Sequence, residues 1–414
     1  MLNRVVNVRP EEVRALLWSF AYFFCLLAAY YILRPLRDEM GVAAGVQNLQ
    51  LLFTATFFVM LPAVPLYGAL VARLPRRRFI PFVYHFFVAN LAIFWVLLML
   101  DVERQWVARV FFVWLSVFVL FAVSVFWSFM ADLYQAEQSK RLYGFIAAGG
   151  TAGQLAGSLT TFSLATQIKA VNLLIVAAVL LELAVLCAMQ LAVREQRAAR
   201  QQSVGGGALD GLAMVLRSPY LAGILAWVAL LSVLATFLYF VQAEVVAQAS
   251  TDPNVRARIF ASVDLSVGIL TLLVQFVATG KLIARFGVGR ALALVPLVFA
   301  AGFAVLAAMP TLAVVIAFQA LQRTANFALS NPARESLYTV VERDEKYKAK
   351  NVIDTVGARG ADMVGGWLVT ALKAIGTEAK AAAIGAIALA AAGIALSLAL
   401  GRAQARKAIV PPRE

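Results

Sequence analysis

Long apolar runs alternate with short polar segments along almost the whole chain. Twelve of these runs reach the roughly 20 residues that a helix needs to cross the hydrocarbon core of a bilayer. They cover residues 13–33, 48–72, 79–100, 107–131, 142–165, 170–193, 220–246, 257–283, 291–309, 311–330, 351–372 and 380–401. The pattern therefore predicts an all-α, polytopic membrane protein with twelve transmembrane helices.

The longest interruption of this pattern, residues 194–219, follows the sixth run and is polar, basic and rich in glycine. Such a composition is typical of a linker rather than of a span. We therefore predict two pseudo-symmetric six-helix halves, residues 1–193 and 220–401. The segment 194–219 would join them as a cytoplasmic linker, and residues 402–414 would form a cytoplasmic tail.

Composition and charge agree with a membrane location. Of the 414 residues 62% are hydrophobic and 14% charged, whereas about a quarter of the residues are charged in soluble domains. Most of the 36 lysines and arginines fall in segments on the side of the N-terminus, which predicts that both termini are cytoplasmic. This bias also accounts for most of the net charge of +14 without a nucleic-acid partner. The expected location is the plasma membrane, in a bacterium the inner membrane, spanned many times.

The sequence offers little for metal or enzymatic chemistry. Cys25, Cys187 and the single histidine, His85, lie in apolar runs without the spacing of a metal site or a disulfide framework. There is no Walker A loop, nucleophile elbow, HExxH or GxGxxG motif. We therefore expect no metal, no cofactor and no enzymatic activity. The expected partners are membrane lipids and a small-molecule substrate, and the protein is expected to be monomeric.

Two patterns recur in both predicted halves. The segment Gly68–Arg78 after the second run matches Gly280–Arg290 after the eighth at an offset of 212 residues. Small residues four apart occur in the fifth and eleventh runs, at an offset of 208. They are Gly149, Gly153 and Gly157, matched by Gly357, Ala361 and Gly365. Such spacing lets helix backbones approach closely, so both runs are predicted to pack tightly against a neighbour.

The glycine, arginine and terminal basic residues of these two loop segments resemble the loop signature of the major facilitator superfamily. That resemblance implies a transporter whose two six-helix halves alternate access to a central site. The repeated positions of Arg73 and Arg285 suggest a role in a gate. The usual acidic residue of the signature is replaced by Ala72 and Ala284.

Two other segments resemble the bacterial and plastidic ATP/ADP antiporters, a narrower group of nucleotide transporters. The first is Tyr30–Gly41, which reads YYILRPLRDEMG. The second lies between the tenth and eleventh helices and consists of Asn331–Thr339, continued by Lys346–Asp354. The resemblance implies exchange of ATP for ADP. Taken more broadly, it implies an organic anion as substrate, phosphate-bearing or nucleotide-like.

The tenth run carries the clearest polar stripe. Gln319, Gln322, Arg323, Asn326 and Ser330 share one face of a helix while the other faces are apolar. An arginine within a span is costly unless it faces a cavity or a partner. We predict that Arg323 binds an anionic group of the substrate through its fork of donors, and that Gln319 and Asn326 orient the substrate. The alternative is a structural ion pair with Asp264, Asp354 or Asp362.

The first run ends in a basic patch. Arg34 and Arg37 lie three residues apart, with Tyr30 one turn before Arg34 and Asp38 one turn after it. We predict that Arg34, Arg37 and Tyr30 contact the substrate at the outer mouth of the cavity. The alternative is that both arginines reach lipid headgroups beside a tyrosine anchor.

The remaining charges within spans suggest gating or proton coupling. Arg359 and Asp362 are spaced to form an ion pair on the eleventh helix, and Asp354 lies more than one turn away. These three residues are predicted to form a gate or a charge-compensating set. Asp264 is a possible proton-coupling carboxylate. Glu182 and His85 are interpreted as packing or hydrogen-bonded residues.

Together these features favour a secondary active transporter that moves an organic anion by alternating access. One alternative is a proton-coupled symporter or exporter of another small solute, which needs a titrating carboxylate such as Asp264. A second is a transport-inactive membrane scaffold or an intramembrane enzyme. The sequence does not identify the substrate or the direction of transport.

Overall fold

Every regular element in the described part of the chain is helical. The computed structural model describes residues 8–73, 76–192, 208–277, 287–342, 349–376 and 379–409. Its α-helices are α1 (Val13–Ala43), α2 (Leu49–Arg73), α3 (Arg76–Met99), α4 (Arg104–Leu133), α5 (Ala136–Leu164), α6 (Leu173–Ala192), α7 (Ala208–Arg217), α8 (Pro219–Ala249), α9 (Pro253–Val277), α10 (Val288–Ala308), α11 (Leu312–Ala325), α12 (Asn331–Leu337), α13 (Ala358–Ala374) and α14 (Ala379–Ile409). The all-α prediction is confirmed.

Within the described ranges, ten helical segments are long and apolar enough to cross a membrane. The chain is thus an integral, multi-pass membrane protein. The fifth and eleventh predicted spans also form helices, α5 and α13, but they are not among the ten. Helix α5 carries many glycine, serine, threonine and glutamine residues, and α13 is only 17 residues long. The count of twelve spans is therefore supported for ten of them, and the two exceptions are the helices with the small-residue pattern.

The chain forms two compact units. Unit 1 contains residues 1–44, 62–204 and 250–265, and unit 2 contains residues 45–61, 205–249 and 266–414. Helices α2 and α9 are each divided between the units, with the first part of α2 in unit 2 and the first part of α9 in unit 1. In α2 the boundary falls at Pro62, a residue type that removes a helical hydrogen bond and bends helices.

In unit 1, α1 lies at the centre and packs against α4, α5 and α6. The small residues of α5 explain its closest contact. A Cβ added at Gly149 would meet the backbone oxygen of Phe20, one at Gly153 that of Phe24, and one at Gly157 that of Ala28. The glycine spacing therefore lets the backbone of α5 lie directly on α1, as predicted.

In unit 2, α8 occupies the corresponding place and packs against α13 and α14. A Cβ at Gly357 would meet Leu225 of α8, and one at Gly365 would meet the Cα of Val233 and the side chain of Thr236. Two neighbouring helices in each half thus pack through small residues at repeat-related positions. This packing is the structural basis of the repeat seen in the sequence.

The start of α1 is fixed by a charged cluster outside the span. Glu12 accepts hydrogen bonds from the backbone N–H of Arg9, from Gln138 and from Arg141, whose Nη2 lies 3.0 Å from Oε1. Burial alone would raise the pKa of Glu12, but these hydrogen bonds and the charge of Arg141 outweigh it and lower the pKa to about 2. The cluster ties α1 to the first turns of α5.

Candidate substrate site and charge pairs

Arg34 on α1 and Asp264 on α9 form an ion pair inside unit 1. The Nη1 atom of Arg34 lies 3.3 Å from Oδ1 of Asp264. The Asp264 side chain is only 2% exposed and that of Arg34 20%. A carboxylate buried this deeply is costly unless a cation compensates it, so Arg34 stabilises Asp264 where it lies. The sequence marked both residues for function, and the fold places them together.

Each of the two arginines at this end of α1 lies near an aromatic ring. The ring centre of Tyr31 lies 5.9 Å from the guanidinium carbon of Arg34, and that of Phe112 lies 4.1 Å from the guanidinium carbon of Arg37. Tyr30 lies beside Tyr31, with ring centres 5.1 Å apart. The ring over Arg34 thus belongs to Tyr31 and not to Tyr30. Asp38, expected beside Arg34, lies with its Oδ1 3.6 Å from Nη1 of Arg37.

A second ion pair between α1 and α9 was not predicted from the sequence. Glu39 accepts a hydrogen bond of 2.7 Å from Nη2 of Arg256, and Arg256 also donates to the backbone oxygen of Thr251. Both side chains are almost completely buried. The signal in the sequence was a pair of opposite charges at the ends of two predicted spans, 217 positions apart, and only tertiary structure reveals such a pairing.

Helix α11 carries the polar stripe of unit 2. Gln319 and Gln322 are buried, and Nε2 of Gln319 donates a hydrogen bond of 2.8 Å to Oε1 of Gln242 on α8. Arg323 and Asn326 are half-buried. The stripe therefore lies on a face that packs toward α8 and not on an outer surface.

A π-helical segment, Asn326–Ser330, begins three residues after Arg323, where α11 ends. A π-turn contains more residues than an α-turn, so it shifts the register of every later side chain, and such segments are frequent at functional sites. Asn326 is the first residue of the turn, and Ser330, its last, is completely buried. The regular α-helical spacing of the predicted stripe therefore ends at Asn326, where the register of the side chains shifts.

Another π-helical segment, Ile353–Gly357, lies within the eleventh predicted span, directly before α13. Within it, Oδ1 of Asp354 lies 3.0 Å from Nη1 of Arg334 on α12. Lys350 and Glu335 form a second pair at 2.6 Å. These two pairs join α12 to the residues around the π-helical segment.

The charges predicted to form a gate are only partly brought together. On α13, Nη1 of Arg359 lies 3.2 Å from Oδ2 of Asp362, three positions further along the helix. Asp354 pairs with Arg334 instead of with this set. Arg285 lies outside the described residues, and so does the side chain of Arg73. Among the residues that the structure describes, no group of His, Cys, Asp and Glu is arranged to hold a metal ion.

His85 on α3 and Glu182 on α6 form a pair that was not predicted from the sequence. The Nδ1 atom of His85 lies 2.9 Å from Oε1 of Glu182. Both side chains are substantially exposed, 54% and 41%, on helices apolar enough to span a membrane. Each residue therefore compensates the polarity of the other, which explains why both are tolerated in apolar runs.

Replacing His85 by leucine should destabilise the protein by about 2–3 kcal/mol, because Glu182 would remain within a span without its partner. The double variant His85→Leu/Glu182→Leu should recover most of this loss. Thermal unfolding in lipid nanodiscs measures both effects. Asn90→Leu is the matched control, since the Asn90 amide donates to the backbone of its own helix, at Phe86. Equal destabilisation by the single and double variants would contradict the pairing.

Comparison with known proteins gives a clear result for the fold. No protein-family model and no curated protein sequence matches the chain. Among solved structures, a bacterial homologue of the human lysosomal transporter Spinster, inward-facing and unoccupied, matches with a TM-score of 0.61 and 13% identity. The match covers 97% of this chain and 99% of that one.

Two further structures match over almost their whole length. The nucleoside transporter NupG has a TM-score of 0.59 at 14% identity, covering 96% of this chain and 100% of that one. A POT family transporter in complex with a thioalcohol-conjugated peptide has a TM-score of 0.67 at 11% identity, covering 95% and 96%. At such identities the likeness concerns the fold. The chain has the major facilitator-type fold of these membrane transporters, as its sequence predicts.

Proposed function

We propose that the protein is a secondary active transporter that carries a small organic anion across the membrane by alternating access. One observation carries the proposal. The buried pair of Arg34 and Asp264 sits in a transporter fold, among further guanidinium groups on membrane-spanning helices. The proposed substrate is phosphate-bearing or nucleotide-like, and both termini are proposed to face the cytoplasm.

The pair gives a physical reason for coupling between substrate and conformational change. If α9 separated from α1 without a substrate, the ion pair of Arg34 and Asp264 would break and leave each charge without a partner, which costs about 3–5 kcal/mol. An anion that binds Arg34 as the pair opens replaces Asp264, while water solvates the freed carboxylate. The empty carrier would then return slowly and the loaded carrier quickly. This behaviour favours exchange of one anion for another, which the ATP/ADP antiporter resemblance implies.

Arg323 is proposed as the second anchor for the anion. It follows Gln319 and Gln322 on α11 and precedes the π-turn that begins at Asn326. A guanidinium matches the geometry of phosphate or carboxylate in two parallel hydrogen bonds, and the amides of Gln319 and Asn326 can orient the rest of the ligand. Arg37 and Tyr30 complete the proposed substrate contacts on α1.

The other charge pairs are proposed to act in gating. Arg359 with Asp362 and Asp354 with Arg334 lie on or beside π-helical segments, where a change of register could switch partners. Arg73 and Arg285 keep the gate role suggested by their repeated loop positions. A monomer with surrounding lipids suffices for this mechanism.

Proton-coupled transport of another solute is the second candidate, and the burial of Asp264 beside Arg34 favours it. Protonation of Asp264 would also break the pair and release α9. Uptake driven by a pH gradient and abolished by Asp264→Asn would support this candidate over anion exchange. A transport-inactive scaffold or an intramembrane enzyme would instead leave uptake at the background level.

A thermal-shift screen of purified protein against nucleotides, sugar phosphates and carboxylates tests substrate binding directly. A ligand at one hundred times its dissociation constant should stabilise the protein by about 2.7 kcal/mol. In Arg323→Ala the same ligand should bind at least about tenfold more weakly, because a charged hydrogen bond is lost.

Arg290→Ala is the control for this variant, since Arg290 is an exposed arginine of the same unit. It should bind the ligand like the unmodified protein. Unchanged affinity of Arg323→Ala for the ligand would show that Arg323 does not contact the substrate.

A further inference from the structure

Unit 1 contains a cavity of about 350 Å³ where α1 ends, α4 begins and the loops after α3, α5 and α8 meet. This volume suits a small organic ligand. Leu36, Met40, Leu98 and Met99 form an apolar part of its wall. The charged part consists of Glu39, Asp101, Arg104 and Lys169. Arg34 and Arg323 are not among its lining residues, so this cavity differs from the proposed substrate site.

The charged side chains of the wall differ in whether they already have an ion-pair partner. Glu39 is held by Arg256 at 2.7 Å, and Asp101 lies 3.6 Å from Arg104. Each acid thus already has a cation. Lys169 is exposed, and in the part of the chain that the structure describes its ammonium group has no carboxylate within ion-pair distance. The uncommitted charge of the cavity is therefore positive.

The backbone around the cavity is held in an unusual conformation. In the described ranges, three residues other than glycine have a positive φ: Asp101 at 54°, Glu103 at 39° and Lys169 at 64°. Two of them line the cavity, and the third precedes Arg104. Non-glycine residues adopt this conformation at a cost and cluster at functional sites.

Side-chain hydrogen bonds fix the loop that carries Lys169. The backbone N–H of Ala170 donates a 2.7 Å hydrogen bond to Oδ1 of Asn254, and Nε1 of Trp95 donates to Oδ1 of Asn172. The ammonium is thus presented from an ordered loop, which lowers the entropic cost of binding.

We propose that this cavity binds a small amphipathic anion. Lys169 contacts its carboxylate or phosphate group. Arg104, whose pair with Asp101 is long and exposed, joins this contact. The apolar wall of Leu36, Met40, Leu98 and Met99 contacts the hydrocarbon part. The same chemistry is presented by a free anion and by the headgroup and first methylenes of an anionic lipid. The proposal concerns binding alone and holds whether or not the protein exchanges anions.

The test uses thermal unfolding in phosphatidylcholine nanodiscs with hexyl phosphate as the probe. Hexyl phosphate should raise Tm, while hexanol and hexylammonium at the same concentration should not. Lys169→Gln/Arg104→Gln should weaken the apparent affinity at least about tenfold, because charged hydrogen bonds to the anion are lost. Lys169→Arg should keep the affinity, because it keeps the positive charge. Lys373→Gln, a lysine of unit 2 that pairs with Glu244, should bind like the unmodified protein.

Two further variants keep the outcome interpretable. Lys169→Gly removes the charge but suits the positive φ, so it separates loss of binding from loss of folding. Arg323→Ala should retain the response to hexyl phosphate, which distinguishes this cavity from the proposed substrate site. An unchanged response in Lys169→Gln/Arg104→Gln, or equal stabilisation by hexylammonium, would overturn the proposal.

Nanodiscs that contain phosphatidylglycerol distinguish the two sources of the anion. If the occupant is a lipid, phosphatidylglycerol should raise Tm of the unmodified protein, suppress the response to hexyl phosphate, and do neither in Lys169→Gln/Arg104→Gln. If the occupant is a free anion, the response to hexyl phosphate should be the same in both lipids. Absence of any stabilisation by hexyl phosphate and by phosphatidylglycerol would contradict both forms of the proposal.

Discussion

Arg34→Ala should reduce anion uptake into proteoliposomes by at least about 100-fold. The variant removes a proposed substrate contact and also leaves Asp264, which is 2% exposed, without its cation. Loss of one partner from a buried pair costs about 3–5 kcal/mol, so Tm should fall as well. Arg109→Ala is the control, because Arg109 lies over the ring of Trp106 and is not a proposed substrate contact.

The companion variants separate the two roles of Arg34. Asp264→Asn keeps the guanidinium of Arg34 but removes the negative charge that pairs with it. The anion should therefore bind more tightly, and efflux without a counter-substrate should increase about tenfold or more. Arg34→Gln/Asp264→Asn should restore stability without restoring uptake. Substantial uptake by this double variant would contradict a role of the pair in transport and leave it a structural role alone.

Gly153→Leu should prevent correct assembly of unit 1. Even a Cβ at this position would overlap the backbone oxygen of Phe24 and approach the backbone nitrogen of Ala28. A backbone cannot move aside as a flexible side chain does, so α5 would have to move away from α1, the central helix of the unit. Overpacking by single methylenes costs about 1–3 kcal/mol, and a leucine side chain at a backbone contact should exceed this range.

Size-exclusion chromatography of a fluorescent fusion measures the expected loss as disappearance of the monodisperse peak. Gly144→Ala in the same helix is the matched control, because nothing lies within 4 Å of a Cβ at that position. It should fold normally and gain up to about 1 kcal/mol from helix propensity. A stable, monodisperse Gly153→Leu would contradict the close packing of α5 on α1.

Much of the fold follows from the sequence because its strongest constraint is local. The bilayer demands about 20 apolar residues for each span, and runs of that length can be read directly. The glycine pattern of α5 and α13 was also readable, since the spacing of small residues determines which face can meet another backbone. The same glycines and polar residues lower the apolarity of α5, which explains why a helix predicted as a span lacks a strong hydrophobic signal.

The candidate site was harder to predict because its pairs join distant parts of the chain. The sequence indicated Arg34 and Asp264 as individual residues but gave no reason to join them. The pairings of Glu39 with Arg256 and of His85 with Glu182 were not predicted, for the same reason. The two π-helical segments were not predictable, since the 3.6-residue period continues through them in the sequence. The polar face of α11 was predictable up to Asn326, where the π-turn begins.

Counterflow in proteoliposomes tests the central claim, anion exchange by alternating access, most directly. Vesicles are loaded with an unlabelled anion that stabilises the protein, ATP first among them, and the labelled anion is added outside without an ion gradient. We expect transient accumulation of label in loaded vesicles, little in empty ones, and none with Arg34→Ala. Equal uptake by loaded and empty vesicles, or uptake that requires a pH gradient, would contradict it.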